Sequence, residues 1–238
     1  MPSPANRVRG AVSSRSGAAP PGGTFTHIGT NIDGTTGSVP SFVLAYPDSA
    51  QAGDLCIGVC SVHDSDGTAT VEANPNGFTA IGSNPYNGIT NSFLSSAAYW
   101  KILDETDISI EFMSFNFNGF RSQIAGCTVW RPSGTVSLAD FSNTNTISDG
   151  NPTPATVPSV TVTAANDLIL LLGTFRQSTT TYQIPGDFTN RGTGVFGTHN
   201  MLVASKAAAA GGETGALDCS IQNDFFGNIS WGVVFHST

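Results

Sequence analysis

Ala52-Gly53-Asp54-Leu55-Cys56-Ile57-Gly58-Val59-Cys60-Ser61-Val62 has an echo in the same chain, Ala165-Asn166-Asp167-Leu168-Ile169-Leu170-Leu171-Leu172-Gly173-Thr174-Phe175. Each copy opens on Ala, then Gly or Asn, then Asp-Leu, and runs on as a short, nearly continuous apolar segment. Short apolar runs bounded by turn-forming residues read as central strands covered on both faces. Working outward, the echo continues in the same order. Pro21-Gly-Gly-Thr-Phe25 returns as Pro132-Ser-Gly-Thr-Val136, and Val39-Pro40-Ser41 as Val157-Pro158-Ser159. Gly77-Phe78-Thr79 returns as Asp187-Phe188-Thr189, Lys101 as Lys206, and the closing run Ile124 to Trp130 as Ile229 to Phe235. The offset drifts only between 105 and 118 residues, the mark of a duplicated domain with loop insertions rather than a short-period solenoid.

The segments between these landmarks alternate. Val157 to Thr163 sets Val160 and Val162 against Ser159, Thr161 and Thr163, and Leu217, Cys219 and Ile221 alternate with Asp218 and Ser220. Asp107 to Phe112 reads the same way, with Ile108, Ile110 and Phe112 inward. Period-two alternation marks half-buried strands. Asp33-Gly34, Asp66-Gly67, Asn87-Gly88, Asn118-Gly119, Asp149-Gly150 and Gly211-Gly212 have the chemistry of tight turns. No period-3.6 stripe exceeds two turns. The expected fold is all-β: an antiparallel, jelly-roll-like β-sandwich built from two internal repeats, with an extended N-terminal arm. The boundaries are residues 1–20 for the arm, 21–131 for the first repeat and 132–238 for the second, the repeats forming either two sandwiches or one merged sandwich.

Charged residues make up only 11% of the 238, against 39% hydrophobic, and the net charge is −8. That charge is unevenly spread: the first 32 residues carry +3, from Arg7, Arg9 and Arg15, and the remainder −11. An acidic body argues against a general nucleic-acid surface, which needs basic stripes. The arm, rich in Pro, Gly and Ser, cannot bury a core of its own, so it is expected to dock on a partner or a sister subunit through its three arginines. No secretory leader is visible, and the longest apolar run, Leu168 to Leu172, is far too short for a membrane span. Cys56 and Cys60, four residues apart on one strand, are about 13 Å apart at a rise of ~3.3 Å per residue. They can share neither a metal nor a disulfide, and the four cysteines read as small hydrophobes.

Signatures of chemistry are sparse. The chain holds no Gly-x-Ser-x-Gly elbow, His-Glu-x-x-His pair, phosphate loop or dinucleotide fingerprint. Asp104-Glu105 with Asp107 raises the paired carboxylates of a glycosidase beside the simpler reading of a solvated turn. His63-Asp64-Ser65-Asp66-Gly67 places two carboxylates on one turn, as calcium loops do, but lacks the distal bidentate Glu. His27, His63, His199 and His236 are scattered. Phe115-Asn116-Phe117-Asn118-Gly119-Phe120 is the densest aromatic cluster. Phe115, Phe117 and Phe120 read as aromatics covered by the other repeat or another subunit, as an ordinary core hairpin, or as a glycan-contact edge. The opposite parity of Phe115 and Phe112 implies a bulge or two buried faces. No metal, cofactor or catalytic residue is expected.

Val39-Pro40-Ser41, Gly53-Asp54-Leu55, Gly77-Phe78-Thr79, Tyr99-Trp100-Lys101 and Trp130 resemble a jelly-roll-type repeat of bacteriophage virion proteins, among them capsid decoration and tail-fibre components. Val157-Pro158-Ser159, Asn166-Asp167-Leu168, Phe188-Thr189, Lys206 and Phe235 form the second set, which lacks the Tyr-Trp pair. The resemblance covers residues 21–238 and rests on strand starts and core aromatics. It implies a non-enzymatic virion subunit, made in the host cytoplasm. The implied role is a capsid decoration or cement protein that assembles as a homo-oligomer, a trimer by analogy, and contacts the major capsid protein or a tail protein. Neither nucleic acid nor membrane is an implied partner. A tail-fibre or tail-adaptor subunit, and a carbohydrate-binding module for host glycans, are the alternatives.

Overall fold

The computed structural model describes residues 22–37, 39–63, 68–73, 75, 77–82, 86–87, 94–118, 122–146, 155–176, 182–221 and 227–238. The first repeat contributes β1 (Phe25–Thr35), β2 (Ser41–Ala45), β3 (Leu55–His63), β4 (Thr70–Ala73), β5 (Thr79–Ala80), β6 (Tyr86–Asn87), β7 (Leu94–Ile102), α1 (Glu105–Ile110), β8 (Phe112–Asn118) and β9 (Ser122–Pro132). The second contributes β10 (Val136–Thr146), β11 (Ala155–Val157), β12 (Thr161–Val162), β13 (Leu168–Arg176), β14 (Tyr182–Gln183), β15 (Thr189–Phe196), β16 (His199–Ala207), β17 (Gly212–Glu213), β18 (Leu217–Ile221) and β19 (Asn228–Ser237).

The duplication seen in the residues is also a duplication of topology. The larger sheet runs β1-β9-β3-β7-β5 in the first repeat and β10-β19-β13-β16-β15 in the second. The smaller runs β2-β8-β4 and β11-β18-β14. Position by position the two orders coincide, and every pairing is antiparallel. The nested pairs β1–β9, β2–β8 and β3–β7 are those of a hairpin rolled up on itself, the winding of a jelly roll. Even a bulge repeats: the register slips at Ile28 between β1 and β9, and at Ala139 between β10 and β19.

Strand alternation distributes the apolar side chains over three cores. In β3, Cys56, Cys60 and Val62 face the first small sheet with Met113, Phe115 and Phe117, whereas Leu55, Ile57 and Val59 face the other repeat. In β13, Ile169, Leu171 and Phe175 face the second small sheet, and Leu168, Leu170 and Leu172 face β3. The larger sheets therefore lie back to back on a shared core completed by Trp130, Trp231, Val233 and Phe235. The order of layers is small sheet, large sheet, large sheet, small sheet. β3, and β13 from Leu168 to Phe175, are buried throughout, as their composition implied. At the seam, Gly194 meets the side chain of Ile32, and Gly34 lies under the ring of Phe196. A methyl group at either glycine would push the strands apart.

The repeated Asp anchors each central strand. Asp54 is buried and accepts from the Gln51 N–H at 3.0 Å and from the Arg131 guanidinium at 2.9 and 3.0 Å. Asp167 accepts from the Thr163 and Ala164 N–H groups at 2.8 and 2.9 Å and pairs with His236 Nδ1 at 2.6 Å. Just before each, the backbone turns through positive φ, at Gly53 (+93°) and Asn166 (+70°). Gly and Asn are the residues that tolerate this region best, which explains why Gly in one copy answers to Asn in the other.

Three local expectations are corrected. Residues 105–110 form a helix, not a strand. Asp104 accepts from the Thr106 and Asp107 N–H groups, while the Asp107 carboxylate accepts from the Asp104 N–H. This capping box holds α1, and Glu111 closes it in the left-handed region at φ +67°. Ile110 and Phe112 consequently point outward, 46% and 42% exposed. The inward face of β8 starts at Met113, so the parity of Phe115 and Phe117 needs no bulge. Asp33-Gly34 lies within β1 rather than at a turn. The strand expected over Val157–Thr163 is interrupted at residues 158–160, following Pro158, with Val157, Val160 and Val162 still buried.

Because the middle core belongs to both repeats, truncation there must destabilise both. Leu170→Ala should cost about 2–5 kcal/mol and lower a single calorimetric transition. Two transitions, only one of them shifted, would show instead that the repeats unfold independently.

Candidate interaction surface

Of the aromatic candidates, Phe115 and Phe117 are core residues, with Phe115 6.3 Å from the Tyr99 ring. Closed in between the first repeat's two sheets, they cannot stack on a sugar or a sister subunit, and that expectation is corrected. Phe120, the arm residues Arg7, Arg9 and Arg15, and the 64–67 turn lie outside the described residues. The Asp104 and Asp107 carboxylates are committed to the helix cap and to Lys101, at 3.1 and 2.6 Å. The Asp107 N–H, with the Lys101 ammonium adding to it, holds Asp104 below the usual carboxylate range. They are not a free acid–base pair. Cys56, Cys60 and Cys127 are free, buried thiols, and burial pushes Cys56 and Cys60 upward. Among the described residues no three His, Cys, Asp or Glu side chains gather as metal ligands.

One arrangement has catalytic residue types. Ser61 Oγ lies 3.2 Å from His199 Nε2, Ser96 Oγ donates to Ser61 Oγ at 2.7 Å, and Thr174 Oγ1 lies 2.8 Å from Ser96 Oγ. Ser122 O is 3.1 Å from His199 Nδ1, which places the proton on Nδ1 and leaves Nε2 to accept from Ser61. All four side chains are fully buried where the large sheets meet, so no substrate carbonyl can reach Ser61. The chain of hydroxyls satisfies polar groups inside the seam and ties residues 138 positions apart. Burial, with the nearby His63, pulls His199 down to about 3.

The open part of the first repeat is different. On the outer face of its small sheet, Val43 of β2 is 55% exposed, beside Ala45, Phe112 and Ile110. The buried pair Leu44–Met113 answers to Val157–Leu217, so the matching face of the second repeat carries Thr156 and Ala216. Val39-Pro40-Ser41, which leads into β2, is therefore not the structural counterpart of Val157-Pro158-Ser159, which ends β11. A groove of about 460 Å³ runs between the edge strands β1 and β2, lined by Thr30, Asn31, Ile32, Asp33, Val43 and Ala45. A second, of about 320 Å³, lies beyond β2 between Pro47, Asp48, Ile108 and Glu111. Among the described residues Asp33, Asp48 and Glu111 form no ion pair, so this largely polar edge carries an acidic rim beside the exposed Val43 and Phe112. Sequence reading missed it because Phe112 and Ile110 were assigned inward.

Comparison with models of known families, with curated proteins and with solved structures finds no match to this chain.

A histidine whose folded pKa lies below its unfolded value of 6.5 takes up fewer protons in the native state. Its stabilising effect is complete above that value and is lost as pH falls toward 3. Burial lowers His27 as well, with the Arg191 charge adding to it, so it contributes in the same direction. Urea melts should therefore show stability falling between pH 6.5 and 4. His199→Gln should lower the slope by up to one proton, ~1.4 kcal/mol per pH unit. An unchanged slope would show that His199 protonates freely.

Proposed function

We propose that this chain is a non-enzymatic structural subunit of a bacteriophage virion, a capsid decoration protein whose basic arm docks on a neighbouring copy. The observation that carries the reading is the contrast between a scaffold whose two lysines are tied to carboxylates and an edge that leaves carboxylates and backbone groups open. Lys101, Arg131 and Lys206 are each tied to carboxylates, the Ser–His contact is sealed, and the candidate acids cap a helix. What remains is β1 and β2, two edge strands beside a groove with an acidic rim, within a body of net charge −11. The arm carries +3 and, extended, spans about 65 Å for 20 residues at ~3.3 Å each. An extended segment laid along an edge strand supplies main-chain hydrogen bonds, and its arginines meet the carboxylates. A subunit that bridges neighbours in this way stabilises a shell by mass action. The virion assignment itself draws on the sequence resemblance, and the trimer on the three-fold positions of icosahedral shells.

Light scattering tests this with three proteins: the full chain, a version lacking residues 1–20, and Val43→Asp. The expected result is a trimer for the full chain and a monomer without the arm, with the trimer weakened by a carboxylate at Val43. A full chain that stays monomeric at every concentration, or a truncated chain of unchanged oligomeric state, overturns the arm-docking reading.

A further inference from the structure

The duplication allows each position of one repeat to be checked against the other, and at the seam the two sides do not match. On one side the shared core is closed by Ile81, Trp100 and Phe235; Ile81 is buried, and the Trp100 and Phe235 rings meet edge to face at 5.5 Å. Aligning Gly77-Phe78-Thr79 with Asp187-Phe188-Thr189 puts Arg191 where the first repeat has Ile81. Aligning Lys101 with Lys206 puts Ser205 opposite Trp100, and Trp130 stands opposite Phe235. A large indole is thus replaced by a serine and a buried isoleucine by an arginine. On that side lies a cleft of about 180 Å³, lined by Phe25, Trp130, Asn166, Leu168, Arg191 and Ser205, among others.

The charged group in this cleft is placed by the backbone. The pairing of β15 with β16 slips between Asn190 and Gly192, making Arg191 the extra residue of a bulge, a device that re-aims a side chain. The Arg191 guanidinium lies over the Trp130 ring, 5.2 Å from its centre, and Arg191 Nε donates to Ser205 Oγ at 2.7 Å. No carboxylate pairs with Arg191 among the described residues, in a chain of net charge −8. Trp130 is buried, and its indole N–H, like that of Trp100 on the opposite side, has no partner among the described residues. Lys206, also in the lining, is held by Asp187 at 2.7 Å and lies over Phe188. None of the lining residues is acidic.

We propose that this cleft binds a small aromatic carboxylate, whose ring occupies the space filled by Trp100 on the opposite side and whose carboxylate pairs with Arg191. Phe25, Leu168 and Ala207 supply apolar walls, and the volume is below the ~300 Å³ at which drug-sized sites begin, so a single ring is the fitting size. Arg191 presents the fork that suits a carboxylate, held over the Trp130 ring at the cleft. The site does not depend on the arm or on the groove at β1 and β2, so it stands or falls separately from the assembly reading.

The probe is benzoate, titrated into the full chain while following the tryptophan indole N–H resonances and the heat of binding. Saturable binding in about the millimolar range, as befits so small a ligand, should shift one indole resonance. Benzyl alcohol, without the charge-assisted bond, and acetate, without the ring, should each bind at least about tenfold more weakly. Arg191→Gln should weaken benzoate by a similar factor. Ser205→Trp, which restores the filled arrangement, should abolish binding while leaving the melting temperature equal or higher. No saturation by benzoate, equal affinity for benzyl alcohol, or undiminished binding by a folded Ser205→Trp protein each overturns the proposal.

Discussion

Two strands, β3 and β13, carry a demand that the rest of the chain must meet: both of their faces are apolar and both must be covered. A single sandwich covers one face of its larger sheet with its own small sheet and leaves the other bare. With Leu55, Ile57 and Val59 on that bare face in one repeat and Leu168, Leu170 and Leu172 in the other, the least costly arrangement sets the two bare faces together. Burial at about 25 cal/mol per Å² of apolar surface favours this strongly over exposing either. The duplicated half is therefore not a free-standing module; its second face is completed by its copy. Register follows from the same demand, because a one-residue slip of β3 would exchange Ile57 and Val59 for Cys56 and Cys60 and mismatch two cores at once.

A seam made only of branched aliphatic side chains would tolerate sliding. Here it is pinned at one end by the hydroxyl chain from Thr174 through Ser96 and Ser61 to His199. Its ends, Thr174 and His199, come from the second repeat and its middle, Ser96 and Ser61, from the first. Glycines set the separation, since Ile32 can lie against Gly194 and Phe196 against Gly34 only because neither carries a side chain. Buried polar contacts of this kind contribute little net stability when satisfied but leave costly unpaired groups when displaced. They fix which alignment of the two sheets is the native one.

Much of the scaffold could be read from the residues, and the parts that could not share one cause. The order of the landmarks, their offset and the double burial of Leu55–Val62 and Leu168–Phe175 are carried by local composition. The matched sheet orders follow from duplication once strands are placed. What escaped were features that depend on a competing local bond or a distant partner. The alternation through Ile108, Ile110 and Phe112 has the period of a strand, but the capping box at Asp104 closes a helical turn instead, keeping Ile108 against the core and turning Ile110 and Phe112 outward. Asp33-Gly34 has turn chemistry, yet its glycine serves the ring of Phe196. Ser61 and His199, each in a strand-like run, give no sign that they meet. The aromatic cluster left three roles open, and the outward turn of Phe112 decides for the core hairpin, with Phe115 and Phe117 pointing in.

Duplication offers a criterion that a single copy does not. Residues that recur in both repeats, such as Asp54 and Asp167, or Lys101 and Lys206, have recurrent scaffold tasks: anchoring a turn, or pairing with a carboxylate. Departures that scaffold needs leave unexplained fall in two places. One is the outer edge of the first repeat, where Val43 and Phe112 are exposed and the second repeat presents Thr156 and Ala216. The other is the seam, where Ile81 and Trp100 give way to Arg191 and Ser205. An exposed apolar group and an unpaired cation over a cleft each raise the free energy of the isolated chain. Neither improves packing, since the opposite repeat shows how each position can be filled. Surfaces that are unfavourable in isolation, and that the same molecule closes elsewhere, are where a contact with something outside the chain recovers the difference.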